Sequence, residues 1–309
     1  MRMALNIDPN HLIDHLHSLA NSTAKVSADS RQLESGDIFF AYPVGHGNAL
    51  RDGRQFINAA LEKGVAAVVF DPAGAGAQYL DHPQCIAVEN LADQVGELSA
   101  QWYGYPSKQL KVIGVTGTNG KTSITQWLAQ ALDASNHRTA VLGTLGTGFP
   151  GALIQTGYTT PDAPKLQTQL DELCKAGAKQ VAMEVSSHAL HQERIAGTEF
   201  NCAVFTNLTQ DHLDYHKTMQ AYFEAKAALF TSEYAQKAVI NIDDTYGEKL
   251  SKQTKLPVIS VSRKKQSADW YFEKAELRSN SYDVEIKGIG GEVVKGVFPL
   301  IDRKSTRLN

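Results

Sequence analysis

Residues 114–123 read GVTGTNGKTS, preceded by the β-branched run Lys111-Val112-Ile113 and followed by a helical stretch over 124–132. Strand, glycine-rich loop and helix in this order form a phosphate cradle. Glycines at 114, 117 and 120 let the backbone bend and turn its N–H groups toward an anion at a helix N-terminus. Lys121 adds a cation near the terminal phosphates, and Thr122 offers a hydroxyl to Mg²⁺. A nucleoside triphosphate is therefore expected, held by Gly117, Thr118, Asn119, Gly120, Lys121, Thr122 and Ser123. One position departs from the strict pattern: Val115 stands five residues before Gly120, where a glycine belongs. A loop that merely turns is the alternative, and the coincidence of context with the Gly-Lys-Thr triplet argues against it.

The 309 residues suit about two domains, and a hydrophobic content of 42% can fill real cores. A formal net charge of −3 gives no global basic field, so a nucleic-acid partner has no electrostatic support and an anionic ligand must be held locally. Cys85, Cys174 and Cys202 are odd in number, widely spaced and without a CxxC pair. They read as reduced thiols in a cytoplasmic protein, packed as small hydrophobes. No run approaches the ~18 apolar residues of a membrane span, so no membrane association is expected. A monomer is expected.

Short apolar runs alternate with helical patterns, the signature of parallel sheets covered by helices. In the first hundred residues strands are expected at 37–42, 65–70 and 85–88, with helices at 53–63 and 91–103. The turn-rich segment Tyr103-Gly104-Tyr105-Pro106-Ser107 then breaks the pattern, placing a domain boundary near residue 107. Beyond it strands are expected at 112–116, 139–143, 180–185, 202–206, 238–242 and 258–261, with helices at 121–134, 164–176 and 219–231. After about residue 269 the pattern alternates over 269–276, 281–287 and 291–298, as antiparallel strands at a sheet edge would. The fold class is α/β: an amino-terminal α/β substrate domain (1–107), then a mostly parallel, P-loop-type ATPase domain with antiparallel edge strands (108–301). Residues 302–309 form a polar octet without periodicity, outside the core.

A second constellation lies downstream. Glu184-Val185-Ser186-Ser187-His188 follows the apolar run Val181-Ala182-Met183, which puts a carboxylate at the carboxyl end of a parallel strand, where open α/β sheets bind ligands. Asn207-Leu208-Thr209-Gln210-Asp211-His212-Leu213-Asp214-Tyr215-His216 follows the next strand and emerges at the same edge. Glu184, Asp211, His212 and Asp214 thus point toward the phosphate region, and carboxylate and imidazole ligands there suit Mg²⁺ or Mn²⁺. A zinc pair, His212 with His216, is a competing reading, weakened by the absence of HExxH and of a nearby cysteine; Asp211 and Asp214 could equally be helix-capping carboxylates in a solvated loop. Lys226 shares a helix face with Tyr222, Phe223 and Phe230, where spacing alone favours a structural lysine that snorkels to water.

Five motifs in this order and spacing, GTNGKT, TTPD, EVSSHAL, NLTQDHLDYH and YFEAKAALF, resemble the Mur ligases of peptidoglycan synthesis, and among them the enzymes that make the UDP-N-acetylmuramoyl tripeptide. Asp29-Ser30-Arg31, Gly36-Asp37-Ile38-Phe39 and Gly45-His46 resemble that family's uridine-nucleotide-binding domain, so the similarity runs from about residue 25 to Ile301. The resemblance implies an ATP-dependent ligase. ATP phosphorylates a carboxylate of UDP-N-acetylmuramoyl-L-alanyl-D-glutamate, and the amine of a diamino acid, meso-diaminopimelate or L-lysine, attacks the acyl phosphate to give an amide, ADP and phosphate. It further implies two Mg²⁺ ions, Thr122 and Glu184 on one and His212 on the second, with Lys226 carbamylated into an anionic metal ligand. Lys121, Glu184, His212 and Lys226 are then the catalytic set. Ser30, His46, Gly47 and Asn48 are implied at the uridine-muramoyl end, and Thr159, Thr160, Ser186, Gln192 and Arg194 along the rest of the substrate; Tyr158 stands where many relatives have Asn.

In the family, Pro-Leu-Ile leads into Gly-Arg-Phe-Asn and a further carboxy-terminal domain, which 302–309 do not continue, so the diamino acid is not readable. Two other readings stand beside the ligase. One is a binding module that holds a nucleotide and a UDP-sugar peptide without ligation; the other is a folylpolyglutamate synthetase, which shares the cradle but not the Asp-Ser-Arg and Gly-His segments.

Overall fold

The computed structural model describes residues 9–44, 51–278 and 281–298, so His46, Gly47, Asn48 and the octet 302–309 lie outside the described residues. The chain forms two compact units. The first takes residues through Leu110 together with Thr160–Gly177 and His191–Thr198; the second takes Lys111–Thr159, Ala178–Leu190 and the residues from Glu199 onward.

The first unit begins with helix α1 (Pro9–Leu19), which buries Leu12, Ile13 and Leu16. Strands β1 (Val26–Ser27) and β2 (Ile38–Ala41) follow, then a short antiparallel ribbon of β3 (Pro43–Val44) and β4 (Arg51–Asp52). Helix α2 (Ile57–Glu62), strands β5 (Ala67–Phe70) and β6 (Cys85–Ala87), and helices α3 (Leu91–Trp102) and α4 (Pro106–Gln109) complete its amino-terminal part. The sheet order is β1-β2-β5-β6, all parallel. Strand side chains alternate between the sheet's two faces. Ile38 and Phe40 therefore pack with Leu16, Leu91 and Leu98, whereas Phe39 and Ala41 pack with Leu33, Ile57 and Tyr79. Burial on both faces is why β2 and β5 read as unbroken apolar runs.

The second unit is built on β7 (Lys111–Thr116), α5 (Lys121–Ala134), β8 (Thr139–Gly143) and a hairpin of β9 (Gly146–Phe149) with β10 (Ala152–Ile154). Helix α6 (Ala163–Lys175) then packs with the first unit before the chain returns as β11 (Gln180–Glu184). Helix α7 (Ser187–His191), β12 (Cys202–Phe205), α8 (Leu213–His216), α9 (Met219–Ala227), β13 (Ala238–Asn241), α10 (Thr245–Gln253) and β14 (Val258–Ser262) follow. The last strands are β15 (Trp270–Leu277), β16 (Tyr282–Gly288) and β17 (Val293–Phe298). Together they make one large sheet, β10-β9-β8-β11-β7-β12-β13-β14-β15-β16-β17, parallel from β8 through β15 and antiparallel at both margins. Register aligns Glu184 with Val115 and Phe205 with Thr116, so β11, β7 and β12 end side by side.

The mostly parallel α/β architecture agrees with the sequence expectation. Several details differ. A single cut near residue 107 would put all of 108–301 in one domain, but Thr160–Gly177 and His191–Thr198 pack with the first unit. The helix expected over 219–231 is α9 followed by a 3₁₀ turn, Ala228–Phe230, and the one expected over 53–63 begins as a 3₁₀ turn, Gly53–Phe56. The first of the three expected antiparallel strands, β15, runs parallel to β14 and antiparallel only to β16. The β9–β10 hairpin and α10 were not expected. No described helix is long and apolar enough to cross a membrane.

Candidate nucleotide and metal site

The loop between β7 and α5 is held from below by the ends of β12 and β13. Gly117 has φ +145°, and a Cβ there would stand 1.9 Å from Thr206 Oγ1, so only glycine fits. The Thr118 N–H donates to the Asn207 carbonyl (2.8 Å) and the Asn119 N–H to Asn207 Oδ1 (3.0 Å). Asn207 Nδ2 and Thr206 Oγ1 both donate to the Asn119 carbonyl, at 3.1 and 2.7 Å. Asn241 Nδ2 in turn donates to the Thr206 carbonyl (2.8 Å). Gly120, at φ +86°, turns the chain into α5, leaving the amides of the helix's first turn without intrahelical partners.

Two lysine amines converge on this loop. Lys121 Nζ donates to the carbonyls of Gly117 (2.9 Å) and Thr118 (3.0 Å), and Lys226 Nζ donates to the same Gly117 carbonyl (3.0 Å). Lys226 is 1% exposed and lies 4.7 Å from the centre of the Tyr222 ring. It does not snorkel to water, because α9 places its stem beneath the loop. Burial, reinforced by the neighbouring Lys121 charge, holds its ammonium well below the ordinary lysine range, with Asp211 opposing. Burial also lowers Lys121, against the attraction of Glu184 and Asp211.

Glu184, at the end of β11, is 1% exposed. Its Oε2 accepts from Thr122 Oγ1 (2.8 Å) in the first turn of α5, and its Oε1 accepts from the Thr144 N–H (2.9 Å). A hydroxyl and a buried carboxylate side by side are hard oxygen donors, the type that Mg²⁺ takes. Among the described residues no three His, Cys, Asp or Glu side chains cluster as a ready-made metal site. Thr122 and Glu184 therefore fit a Mg²⁺ ion whose remaining ligands are water and phosphate oxygens. His212 lies at the rim: its ring is edge-on to His188 (4.9 Å) and Tyr222 (6.0 Å), with Nε2 3.5 Å from Asp211 Oδ2. His216, its partner in the competing zinc reading, instead shares a hydrogen bond through Nε2 with Ser187 Oγ (3.0 Å). The Tyr222 hydroxyl shares a hydrogen bond with Thr118 Oγ1 (3.2 Å), linking α9 to the loop.

Lys121, Thr122, Glu184 and Lys226 thus stand around one loop, with His212 reached through Tyr222. Ser123 and Asn119 also line a cavity of about 450 Å³ that runs over Trp127, Asn241 and Trp270. The residues implied for the substrate divide between the units. In the second, Thr159 Oγ1 shares a hydrogen bond with Thr144 Oγ1 (2.9 Å), and Ser186 Oγ accepts from the Ala189 N–H (3.1 Å) at the start of α7. In the first, Arg194 donates to the Thr160 carbonyl (3.0 Å) and twice to Gln192 Oε1 (2.9 and 2.6 Å). Arg194 and Gln192 line a cavity of about 220 Å³ with Tyr42 and Asp162, where burial raises the Asp162 carboxyl and the Tyr42 phenol above their ordinary values. Ser30 lies in a 3₁₀ turn capped by Asp29, its carbonyl accepting from Lys63 Nζ (2.8 Å). Sequence reasoning did not single out Asn207, Thr206 or Thr144. The available signal for the first was its place at the head of the segment that follows β12.

Residues 115–302 match the sequence pattern of the Mur ligase middle domain. UDP-N-acetylmuramoyl-L-alanyl-D-glutamate--2,6-diaminopimelate ligases are similar along most of the chain: the Ralstonia nicotianae protein is 50% identical over 77% of this chain and 47% of its own length, and that of Pseudomonas aeruginosa is 47% identical over 82% and 51%. A solved structure of such a ligase superposes with a TM-score of 0.74 at 30% identity, covering 92% of this chain and 58% of that one. The chain spans about half the length of the curated relatives it matches. With the middle-domain pattern covering more than half of its residues, this chain belongs to the Mur ligase family.

Proposed function

We propose that the chain provides the nucleotide site and acceptor-binding residues of an ATP-dependent ligase that adds 2,6-diaminopimelate to UDP-N-acetylmuramoyl-L-alanyl-D-glutamate through an acyl phosphate. The observation that carries this reading is the buried Glu184 carboxylate bonded to Thr122 in the first turn of α5, directly beside a loop that two lysine amines cross. Such a site is built for phosphoryl transfer, where catalysis rests on positioning and on neutralising charge. The diaminopimelate assignment comes from the names of the relatives.

In this reading the first-turn amides of α5 and the Lys121 ammonium bind the terminal phosphates, Lys121 exchanging its loop carbonyls for phosphate oxygens. Thr122 and Glu184 hold one Mg²⁺, and His212 and a carbamylated Lys226 hold a second. Bound Mg²⁺ would neutralise phosphate charge and align the transferred group. Burial supports the carbamate, because an amine kept below its usual basicity is available in its neutral, nucleophilic form. Arg194, oriented by Gln192, would pair with an acceptor carboxylate, and Thr159, Thr160, Ser186 and Ser30 would complete the acceptor contacts. The working location is the cytoplasm, consistent with three free cysteines and no described membrane helix.

Calorimetry on the chain tests this reading. Binding of Mg·ATP and of the UDP-muramoyl dipeptide is expected, with ADP release rising when both are present with diaminopimelate rather than L-lysine. Failure to bind nucleotide, or preference for a folate acceptor, would overturn it.

A further inference from the structure

We propose that Asn207 is a positioning residue for the nucleotide, its carboxamide pairing with both backbone polar groups of Asn119 to hold the phosphate loop in its anion-accepting form. The proposal rests on the nucleotide-binding reading above. The pairing resembles a strand ladder made by one side chain: Oδ1 accepts the Asn119 N–H at 3.0 Å while Nδ2 donates to the Asn119 carbonyl at 3.1 Å. The Asn207 backbone adds a third bond, its carbonyl accepting from Thr118 N–H at 2.8 Å. Asn207 is itself 7% exposed and sits just past the end of β12, which is paired along its length with β7 and β13.

This arrangement consumes the Thr118 and Asn119 amides, so they are not among the groups turned toward an anion. Instead they fix the peptide plane that precedes Gly120 and thereby aim the amides of the α5 first turn. It also pins the Gly117–Thr118 segment, whose carbonyls receive the two lysine amines. An apolar or missing side chain at 207 would leave the Asn119 N–H without that partner and its carbonyl with Thr206 Oγ1 alone, and the loop would be free to turn toward water. Its amides would then have to be reordered when nucleotide binds, weakening affinity.

The test compares Asn207→Ala and Asn207→Asp with Asn201→Ala. Asn201 supplies a matched control in the same sheet: its Oδ1 accepts the Val112 N–H (2.8 Å) at the far end of β7, away from the loop. Two readouts are taken on the whole chain, amide hydrogen exchange at residues 117–120 and the Kd for Mg·ADP. Asn207→Ala is expected to speed exchange at Asn119 and weaken Mg·ADP by about tenfold, the scale of one or two hydrogen bonds. Asn207→Asp, which sets a carboxylate oxygen against the Asn119 carbonyl and adds negative charge near the phosphates, is expected to bind more weakly still. Asn201→Ala is expected to lower stability yet leave both readouts near wild type. Unchanged exchange and affinity in Asn207→Ala, or an equal loss in Asn201→Ala, would overturn the assignment. A wild-type chain that binds no Mg·ADP would sink the nucleotide reading, while the exchange data would still decide whether Asn207 orders the loop.

Discussion

Lys226 is a cation placed where the fold resists one. Its ammonium is buried, faces the Lys121 charge, and meets one carbonyl and one aromatic face. Replacing it with methionine keeps the stem and removes the charge. The Gly117 carbonyl is not orphaned by the change, because Lys121 Nζ still donates to it. Lys226→Met is therefore expected to stabilise the chain by about 1 kcal/mol while abolishing any function that requires the amine. The pH dependence gives a sharper check. The folded-state pKa lies well below the ordinary lysine value of 10.5, so between the two the unfolded chain holds a proton that the folded chain has released, and stability rises with pH across that window. In wild type the urea midpoint should climb as the pH is raised toward 10.5. Lys226→Met should lose most of that climb, the remainder coming from Lys121, whose pKa is lowered in the same direction. An identical slope in the variant would show that the buried amine is not the source.

At the scale of elements, the carboxyl ends of β8 and β11 are fitted to each other. A Cβ on Gly143, the last residue of β8, would stand 2.3 Å from Glu184 Oε1 and 2.7 Å from its Cγ. Glu184 cannot swing aside, since Thr122 and Thr144 hold its two oxygens. Gly143→Ala is expected to cost about 1–3 kcal/mol by overpacking and to displace the carboxylate, weakening Mg²⁺-dependent nucleotide binding more than binding of nucleotide alone. Retained Mg²⁺ dependence would show that Glu184 is not the group at stake. The elements bearing on this site were legible because β-branched and apolar runs at 111–116, 139–143, 180–184 and 202–205 end in glycine or polar punctuation. The β9–β10 hairpin was not, because Gly146, Gly148 and Gly151 sit at positive φ in a stretch that reads as loop. Helix α10, Thr245–Gln253, is predominantly polar and shows no clear apolar stripe in its sequence, although its Asp244 cap, accepting from the Gly247 N–H, marks its start. The pairing of Asn207 with Asn119 spans 88 residues and leaves no local signal at all.

The whole molecule differs most from its linear reading in the assignment of α6. This helix lies in sequence between β10 and β11 of the large sheet, yet Leu166, Leu170 and Leu173 are buried in the first unit. Its side chains confirm the attachment: Gln167 Nε2 donates to Thr198 Oγ1 (2.9 Å), Thr168 shares a hydrogen bond with the Tyr103 hydroxyl (3.0 Å), and Glu172 pairs with Lys25 (2.7 Å). Helix α3 and the 191–198 segment fit as closely, since a Cβ on Gly96 would meet Ala196 Cβ at 2.5 Å. Packing of this kind makes a cooperative unit that ignores chain order, and local opening should follow the unit rather than the sequence. Hydrogen exchange across a urea series should therefore find the amides of α6 opening with those of α3, at a free energy distinct from that of β8 and β11. The discontinuity explains why a boundary read from the turn-rich segment near residue 107 is incomplete. Punctuation marks where the chain leaves a unit, but the return at 160 depends on an apolar helix face whose partners lie 60 or more residues earlier. Exchange of α6 together with β8 and β11 would place it in the large sheet's cooperative unit and remove the two-segment return.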